Sequence, residues 1–268
     1  MSRAAELRRL HHGTILVLPN VWDVASAAFV ASVPGCRALA TTSSGVAASL
    51  GYPDGERIPA AEMLAAVTRI AAAADLPVTA DLEAGYGDPV ATARAAIAAG
   101  VAGMNLEDQA CPADEHVERI KAIRAEVGDA IVLNARIDVF LHGTGDVDEA
   151  VERANAYLAA GADCTFPIGV SEKATIAQLA ERIDGPVNVL ATAGTPPVSE
   201  LEELGVARVT FGSGLTRAAY GAAVRAAHEA LSDGTYGWLE GAVPQLEVSQ
   251  SPRASATIDA ASRGGAVR

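Results

Sequence analysis

Pro77-Val78-Thr79-Ala80-Asp81-Leu82-Glu83-Ala84-Gly85-Tyr86-Gly87-Asp88-Pro89 is a short strand that runs through a glycine turn into a helix start. The apolar run Val78 to Ala80 delivers two carboxylates, Asp81 and Glu83, at a spacing of two. Side chains two apart on an extended strand point to the same side, so both acids can converge on one point. Without a basic neighbour they repel each other unless a proton or a cation sits between them. A hard divalent ion such as Mg²⁺, which takes oxygen ligands, suits the pair. Capping of the following helix is the ordinary alternative use of such acids. Two later segments weigh against capping alone. Gly103-Met104-Asn105-Leu106-Glu107-Asp108 ends in adjacent acids, and the run Ile131 to Asp138 ends in Arg136 and Asp138.

The strand–turn–helix pattern repeats along the chain. Apolar runs predict strands near 14–18, 37–42, 78–82, 103–107, 130–136, 163–166, 187–191 and 206–211. Alanine-rich stretches predict helices near 23–32, 59–74, 88–99, 113–127, 147–160, 171–183, 198–204 and 214–231. Asp88-Pro89 supplies a cap and a first-turn proline, Gly100 and Gly161 close two helices, and Ser171 with Glu172 opens another. Alternating units of this kind predict an α/β fold, a (β/α)₈ TIM barrel over roughly residues 1–240. A doubly wound open sheet is the alternative, but no Gly-x-Gly-x-x-Gly follows the first strand. From about 241 the character changes. Val248 to Arg268 is rich in Ser, Ala, Gly and Arg without periodicity, which predicts a flexible C-terminal tail over 241–268.

Composition bounds the partners. Half of the 268 residues are hydrophobic but only 4% are aromatic, so the core is built from Ala, Val, Leu and Ile. A net charge of −13 argues against nucleic acid or an anionic membrane as partner. An anionic ligand therefore needs local cations or helix N-termini. Cys36, Cys111 and Cys164 are odd in number and form no Cys-x-x-Cys pair, so neither a disulfide framework nor a zinc site is expected. Met1 to Leu10 has no apolar signal-peptide core, and no long apolar run suggests a membrane span. A cytoplasmic location is the expectation.

In a barrel the C-terminal ends of all strands share one face, where sites form. Asn20 and Asp23, Thr42 to Gly45, Asp81 and Glu83, Glu107 and Asp108, Arg136 and Asp138, Asn188, and Gly212 with Ser213 all fall at such ends. His11 and His12 precede the first strand and read as surface residues. His116 and His142 lie close enough to the mouth to be candidate acids or bases, and Trp22 reads as a packing residue there.

These residues, taken in order, resemble the isocitrate lyase and phosphoenolpyruvate mutase superfamily. The likeness spans roughly 14–230 and rests on Pro19-Asn20-Val21-Trp22-Asp23, Thr41-Thr42-Ser43-Ser44-Gly45, and Ser49-Leu50-Gly51-Tyr52-Pro53-Asp54. It continues through Ala80 to Gly87, Asn105-Leu106-Glu107-Asp108-Gln109 and Asn134-Ala135-Arg136. The resemblance implies a Mg²⁺-dependent lyase acting on a C–C or C–P bond of a small 2-oxo or 2-hydroxy acid through an enolate. It also implies a homo-oligomer, dimer or tetramer, that exchanges its last barrel helix between subunits.

By position, the resemblance makes Asp81 the direct metal ligand, with Glu83, Glu107 and Asp54 holding the metal's waters. Thr42, Ser43, Ser44 and Gly45 become the seat of the substrate carboxylate. Arg136 neutralises the remaining anionic group, and Asn188 is a further substrate contact. Arg136, Glu107 and Tyr86 are the expected catalytic residues, with the Tyr86 hydroxyl able to touch substrate.

One departure matters. Lyases of the superfamily carry a gating loop with Lys-Cys-Gly-His after the fourth strand. Here Gln109-Ala110-Cys111-Pro112 leads almost at once into the next helix, and no Cys-Gly-His exists. The site is expected to stay more open, and strong isocitrate or methylisocitrate lyase activity is not expected. A non-catalytic metal- and carboxylate-binding barrel is one competing reading, and mutase- or phosphonopyruvate hydrolase-type phosphotransfer is another. A phosphate-sugar enzyme using Phe211-Gly212-Ser213-Gly214 is a third, but Lys121 and Lys173, the two lysines, lie on no predicted strand.

Overall fold

The computed structural model describes residues 1–141, 145–245 and 248. His142, and most of the tail expected from 241, lie outside the described residues. The strands are β1 (Leu16–Leu18), β2 (Asn20–Val21), β3 (Leu39–Thr41), β4 (Val78–Asp81), β5 (Gly103–Glu107), β6 (Val132–Ile137), β7 (Cys164–Pro167), β8 (Asn188–Leu190) and β9 (Arg208–Thr210). The helices are α1 (Arg3–Leu10), α2 (Val24–Ala31), α3 (Ser43–Ser49), α4 (Ala60–Ala73), α5 (Pro89–Ala98), α6 (Ala113–Val127), α7 (Val147–Ala160), α8 (Lys173–Arg182), α9 (Val198–Glu203) and α10 (Gly214–Ser232). A short 3₁₀ turn, Gly237–Gly241, follows.

The strands are parallel and run as β2-β3-β4-β5-β6-β7 and β1-β9-β8. A Thr165–Val187 bridge joins β7 to the start of β8. β1 and β2 are two halves of one barrel strand, interrupted at Pro19, which has no N–H to give to a ladder. The ring therefore closes with eight strand positions, as the alternation predicted.

Alternation along the strands separates the core under the helices from the one on the barrel axis, with a third cluster of Ile15, Ile176, Val189, Leu201, Val206 and Val209. Met104, Leu106, Leu133, Ala135 and Ile137 face the helices and join the large core with Met63, Val67, Ile70, Ala93, Ile120 and Tyr157. Leu16, Leu18, Ala40 and Val132 face the barrel axis, where Leu7 and Leu10 of α1 pack beneath them. Helix α1 was not read from the sequence, because its Arg and Glu residues hide a three-residue apolar face of Ala4, Leu7 and Leu10. Its docking also corrects the reading of His11 as a surface residue. His11 is 5% exposed and its Nδ1 meets the Leu7 carbonyl at 2.8 Å. Burial and the nearby Arg208 lower its pKa to about 4.

The capping signals hold at Asp88, whose carboxylate accepts from Ala91 N–H ahead of Pro89, and at Gly161, which ends α7 with φ +116°. Glu172 rather than Ser171 caps α8, without a side-chain bond. Among the described residues no helix is long and apolar enough to cross a membrane.

Candidate active site

A cavity of about 240 Å³ opens at the C-terminal ends of the strands, between Asn20, Thr42, Asp81, Asn105, Arg136 and Leu190. Ser43, Ser44 and Asp54 complete its acidic side. Asp81 is held by several hydrogen bonds. Thr41 Oγ1 accepts from its backbone N–H at 2.9 Å. Its Oδ2 accepts from Ser43 N–H at 3.0 Å and Ser43 Oγ at 2.9 Å, and Asn105 Nδ2 donates to Oδ1 at 3.3 Å. Asn105 is oriented in turn by Asn134, whose Nδ2 donates to Asn105 Oδ1 at 2.8 Å.

The seat beside Asp81 is the start of α3, a helix absent from the sequence reading. Thr42 is its N-cap and takes up Gly45 N–H at 3.4 Å. Gly45 is obligatory here, since a Cβ would fall 2.6 Å from both Thr216 Oγ1 and Thr42 Cγ2. Thr42, Ser43 and Ser44 thus line the cavity as expected, while Gly45 lies one step behind it.

Glu83 converges with Asp81 by a different route from the one expected. β4 ends at Asp81, and Glu83 sits past it in a left-handed conformation, φ +51°. Its Oε2 accepts from Glu56 N–H at 2.8 Å and its Oε1 from Tyr86 OH at 3.1 Å. Glu56, which no motif singled out, accepts from Ala84 and Tyr86 N–H at 3.1 and 2.7 Å and so ties the acidic loop down. Among the described residues the five non-glycine positive φ values are Glu56, Glu83, Tyr86, Gln109 and Ala110, all in loops that border this acidic cluster. Strained backbone of that kind persists where the surroundings over-determine it, typically at sites.

Glu107 ends β5 and pairs with Arg136 at 2.6 Å, and Gln109 Nε2 donates to it at 3.2 Å. Arg136 Nε also donates to Asp138 at 2.7 Å. Arg136 therefore lines the cavity with its charge already shared between two acids.

The electrostatics are those of an acid cluster short of positive charge. Burial, then Asp81 and Asp54, raise the Glu83 pKa to about 7. Burial raises Glu107 to about 7 as well, with Asp138 and Asp81 adding and Arg136 opposing. Burial and the neighbouring Glu83 push the Tyr86 phenol up. Burial opposes the Arg136 charge, but Glu107, Asp138 and Asp81 outweigh it and raise its pKa.

Among the described residues no three His, Cys, Asp or Glu side chains close into a full ligand cluster. A Zn²⁺-type cage is thus not formed. A carboxylate, Asp81, with the further acids Glu83 and Glu107 near enough to feel its charge suits a hydrated divalent ion, which takes oxygen ligands and keeps several waters.

Asn188 corrects the expectation of a substrate contact. β8 starts there and ends at Leu190, so Asn188 is fully buried below the cavity, bonded to Thr210 Oγ1 at 3.2 Å. Asp108, adjacent to Glu107, points the other way. It is fully buried and accepts from Ala110 N–H (2.9 Å), Asp138 N–H (3.0 Å), Tyr157 OH (2.8 Å) and Arg153 Nη1 (3.1 Å). His116 is also buried, tilted against Tyr157 with ring centroids 4.6 Å apart and planes at 57°, and does not line the cavity. Burial lowers its pKa to about 4. Lys121 and Lys173 sit on α6 and α8 in ion pairs with Glu118 and Glu200.

The match to the phosphoenolpyruvate phosphomutase family covers residues 7–231. The chain belongs to that family. An uncharacterized Mycobacterium tuberculosis protein is 39% identical, over 89% of this chain and 93% of its own. The 2-methylisocitrate lyase of Bacillus subtilis is 31% identical over 74% and 71%, and an oxaloacetate decarboxylase of Ectopseudomonas mendocina 34% over 69% and 67%. Among solved structures, 2,3-dimethylmalate lyase, a member of the mutase and isocitrate lyase superfamily, superposes with a TM-score of 0.83 at 28% identity over 99% of both chains. The family is thus one of lyases on an α/β barrel, and the strand-end chemistry of this chain is set on that scaffold.

Proposed function

We propose that this family member is a Mg²⁺-dependent lyase that breaks or forms a carbon–carbon bond next to the carbonyl or hydroxyl carbon of a small acid. The observation that carries the reading is Asp81, centred in the cavity by Ser43 and Asn105 with Glu83 and Glu107 raised to about 7 around it. A divalent cation at Asp81 relieves that repulsion and, when bound, supplies positive charge to the oxygen on which the enolate charge develops. The chain's own groups do the rest. Ser43 and Asn105 fix the Asp81 carboxylate, and the Thr42 and Ser44 hydroxyls, which line the same cavity, receive the substrate carboxylate. Arg136, held in line by Asp138, faces the substrate's second anionic group. The Tyr86 hydroxyl donates to Glu83, where a proton can be held close to the charge of Asp81.

The experiment is thermal unfolding of the full chain with Mg²⁺, oxalate, both or neither. A ligand that binds only the folded state raises the transition by mass action. Oxalate should stabilise only with Mg²⁺, and Asp81→Ala should lose that response while keeping the unliganded transition. Equal oxalate stabilisation in Asp81→Ala sinks the reading.

Exchange of α10 between subunits belongs to the same proposal. α10 buries only Thr216 and exposes Tyr220, Val224 and Leu231 at 45%, 68% and 88%. An apolar hollow of about 430 Å³ between Val17, Val30, Val33, Phe211 and Leu215 lies uncovered at the barrel side. A partner's α10 fits both facts. Light scattering at micromolar concentration should give a dimer or tetramer, and a monomer removes the idea.

A further inference from the structure

Arg208 opens β9, two residues before Thr210, which lines the cavity. Side chains two apart on a strand share a side, so Arg208 enters the barrel one step beneath the cavity. It is 1% exposed. Its register neighbours are Leu16 on β1 and Asn188 on β8, and neither carries a charge. Nε and Nη1 find no hydrogen-bond partner among the described residues. Asp163, at the start of β7 on the floor side, is taken up by Arg8, Arg124 and the Leu133 N–H. Burial pushes the Cys164 thiol up to about 12, so it offers no thiolate. Burial also pulls the Arg208 pKa down to about 10, against Cys164 and Asp81, so the guanidinium stays charged at neutral pH.

An unpaired buried charge is costly, and hydrocarbon of similar volume in place of buried charged groups is often stabilising. Stability therefore does not account for an arginine at 208. The cavity above carries the opposite imbalance. Asp54 and Asp81 line it, Glu83 and Glu107 gather close enough to feel Asp81, and Arg136 is shared between Glu107 and Asp138. Little water lies in a packed barrel to screen one excess from the other.

We propose that Arg208 is a positioning residue of the site, a buried cation acting from beneath on the acids of the mouth. It loosens their hold on a divalent ion and tightens the hold of the loaded site on an anionic ligand. The inference rests on the metal-dependent reading given above and adds to it a residue outside the cavity.

Calorimetric titration of the full chain tests it at about pH 8, where Glu83 and Glu107 are ionised, with Mg²⁺ alone and then with oxalate at saturating Mg²⁺. Arg208→Met removes the charge, and Asn188→Asp cancels it with a carboxylate on the neighbouring strand. In both variants Mg²⁺ should bind roughly tenfold tighter and oxalate roughly tenfold weaker, the size of a unit-charge interaction over about 10 Å at an effective dielectric constant of about 20. Opposite signs are the mark of charge, since a packing defect weakens both ligands. Affinities that are both unchanged or both reduced overturn the role of Arg208 and leave the metal reading standing. A native protein that binds no Mg²⁺ removes the metal reading and this inference with it. Should Arg208→Met fail to fold, Asn188→Asp, which keeps the arginine, decides alone.

Discussion

Replacing Asp108 by Ala should be among the most destabilising single changes outside the cavity. The carboxylate is fully buried and accepts four hydrogen bonds, two from backbone N–H groups and two from Tyr157 and Arg153. Removing one partner of a buried ion pair costs roughly 3–5 kcal/mol, chiefly through the charge left behind. Arg153 keeps Glu149 at 2.9 Å, so the cation is not wholly orphaned and the lower end applies. Water entering the vacated space serves the Tyr157 hydroxyl and one amide, so one further unsatisfied group, at roughly 1 kcal/mol, adds to that. About 4 kcal/mol is expected, read by urea unfolding with linear extrapolation. Asp108→Ala combined with Arg153→Met should cost less than the sum of the two, because the second change removes the charge that the first exposes. A loss under about 1 kcal/mol, or strict additivity in the double variant, would refute the reasoning.

Arg136→Lys should weaken Mg²⁺-dependent oxalate binding by roughly tenfold or more, since the planar fork that serves Glu107, Asp138 and ligand together is lost; unchanged calorimetric affinity would remove Arg136 from ligand binding. Without metal, Glu83 and Glu107 hold protons in the fold up to about pH 7 that the unfolded chain releases near its ordinary carboxylate pKa. Folded pKa values above the unfolded ones mean that stability in EDTA falls as pH rises from about 4.5 to about 7. Mg²⁺ competes with those protons, so its affinity should climb over the same window; melting scans against pH that stay level in EDTA contradict this. Isocitrate and methylisocitrate should be cleaved poorly, and vigorous glyoxylate or pyruvate release that vanishes in Cys111→Ser would reverse that expectation.

Much of the barrel was legible because its strands are short, apolar and regularly punctuated by glycine and proline, as at Pro77-Val78 and Asp88-Pro89. What escaped depends on tertiary docking. α3 is Ser-Ser-Gly-Val-Ala-Ala-Ser, weak in helix propensity, and it forms where Thr42 caps it and Gly45 lets α10 approach. α1 is polar by composition and is fixed by the barrel floor it covers. The same period of two that invited pairing Asp81 with Glu83 also separates Glu107 from Asp108, and applying it there would have sent Asp108 to the helix side. Asn188 was misplaced because it was grouped with the strand ends although it stands at the start of its strand, predicted near 187–191 and observed as Asn188–Leu190, in the layer beneath the rim. Asn105 carried a usable signal that went unread, since it stands two before Glu107 on the inward side of β5.

The segment after β5 ties these points to the chemistry. Gln109 and Ala110 are consecutive left-handed residues, at φ +50° and +54°, a conformation that costs about 1–3 kcal/mol at each. Asp108 grips Ala110 N–H, and Arg153 Nη1 donates to the Cys111 carbonyl at 2.7 Å, so residues 108–112 are clamped to α7. A wall fixed in this way does not sweep across the mouth to bring an acid over the reacting carbon. A positioned general acid contributes roughly 10²–10⁴-fold, and a reaction that needs one delivered from this side forgoes it. A reaction whose enolate takes its proton from water at an open mouth is not handicapped. The clamp on Asp108 therefore bears on how an enolate formed in this cavity would be quenched.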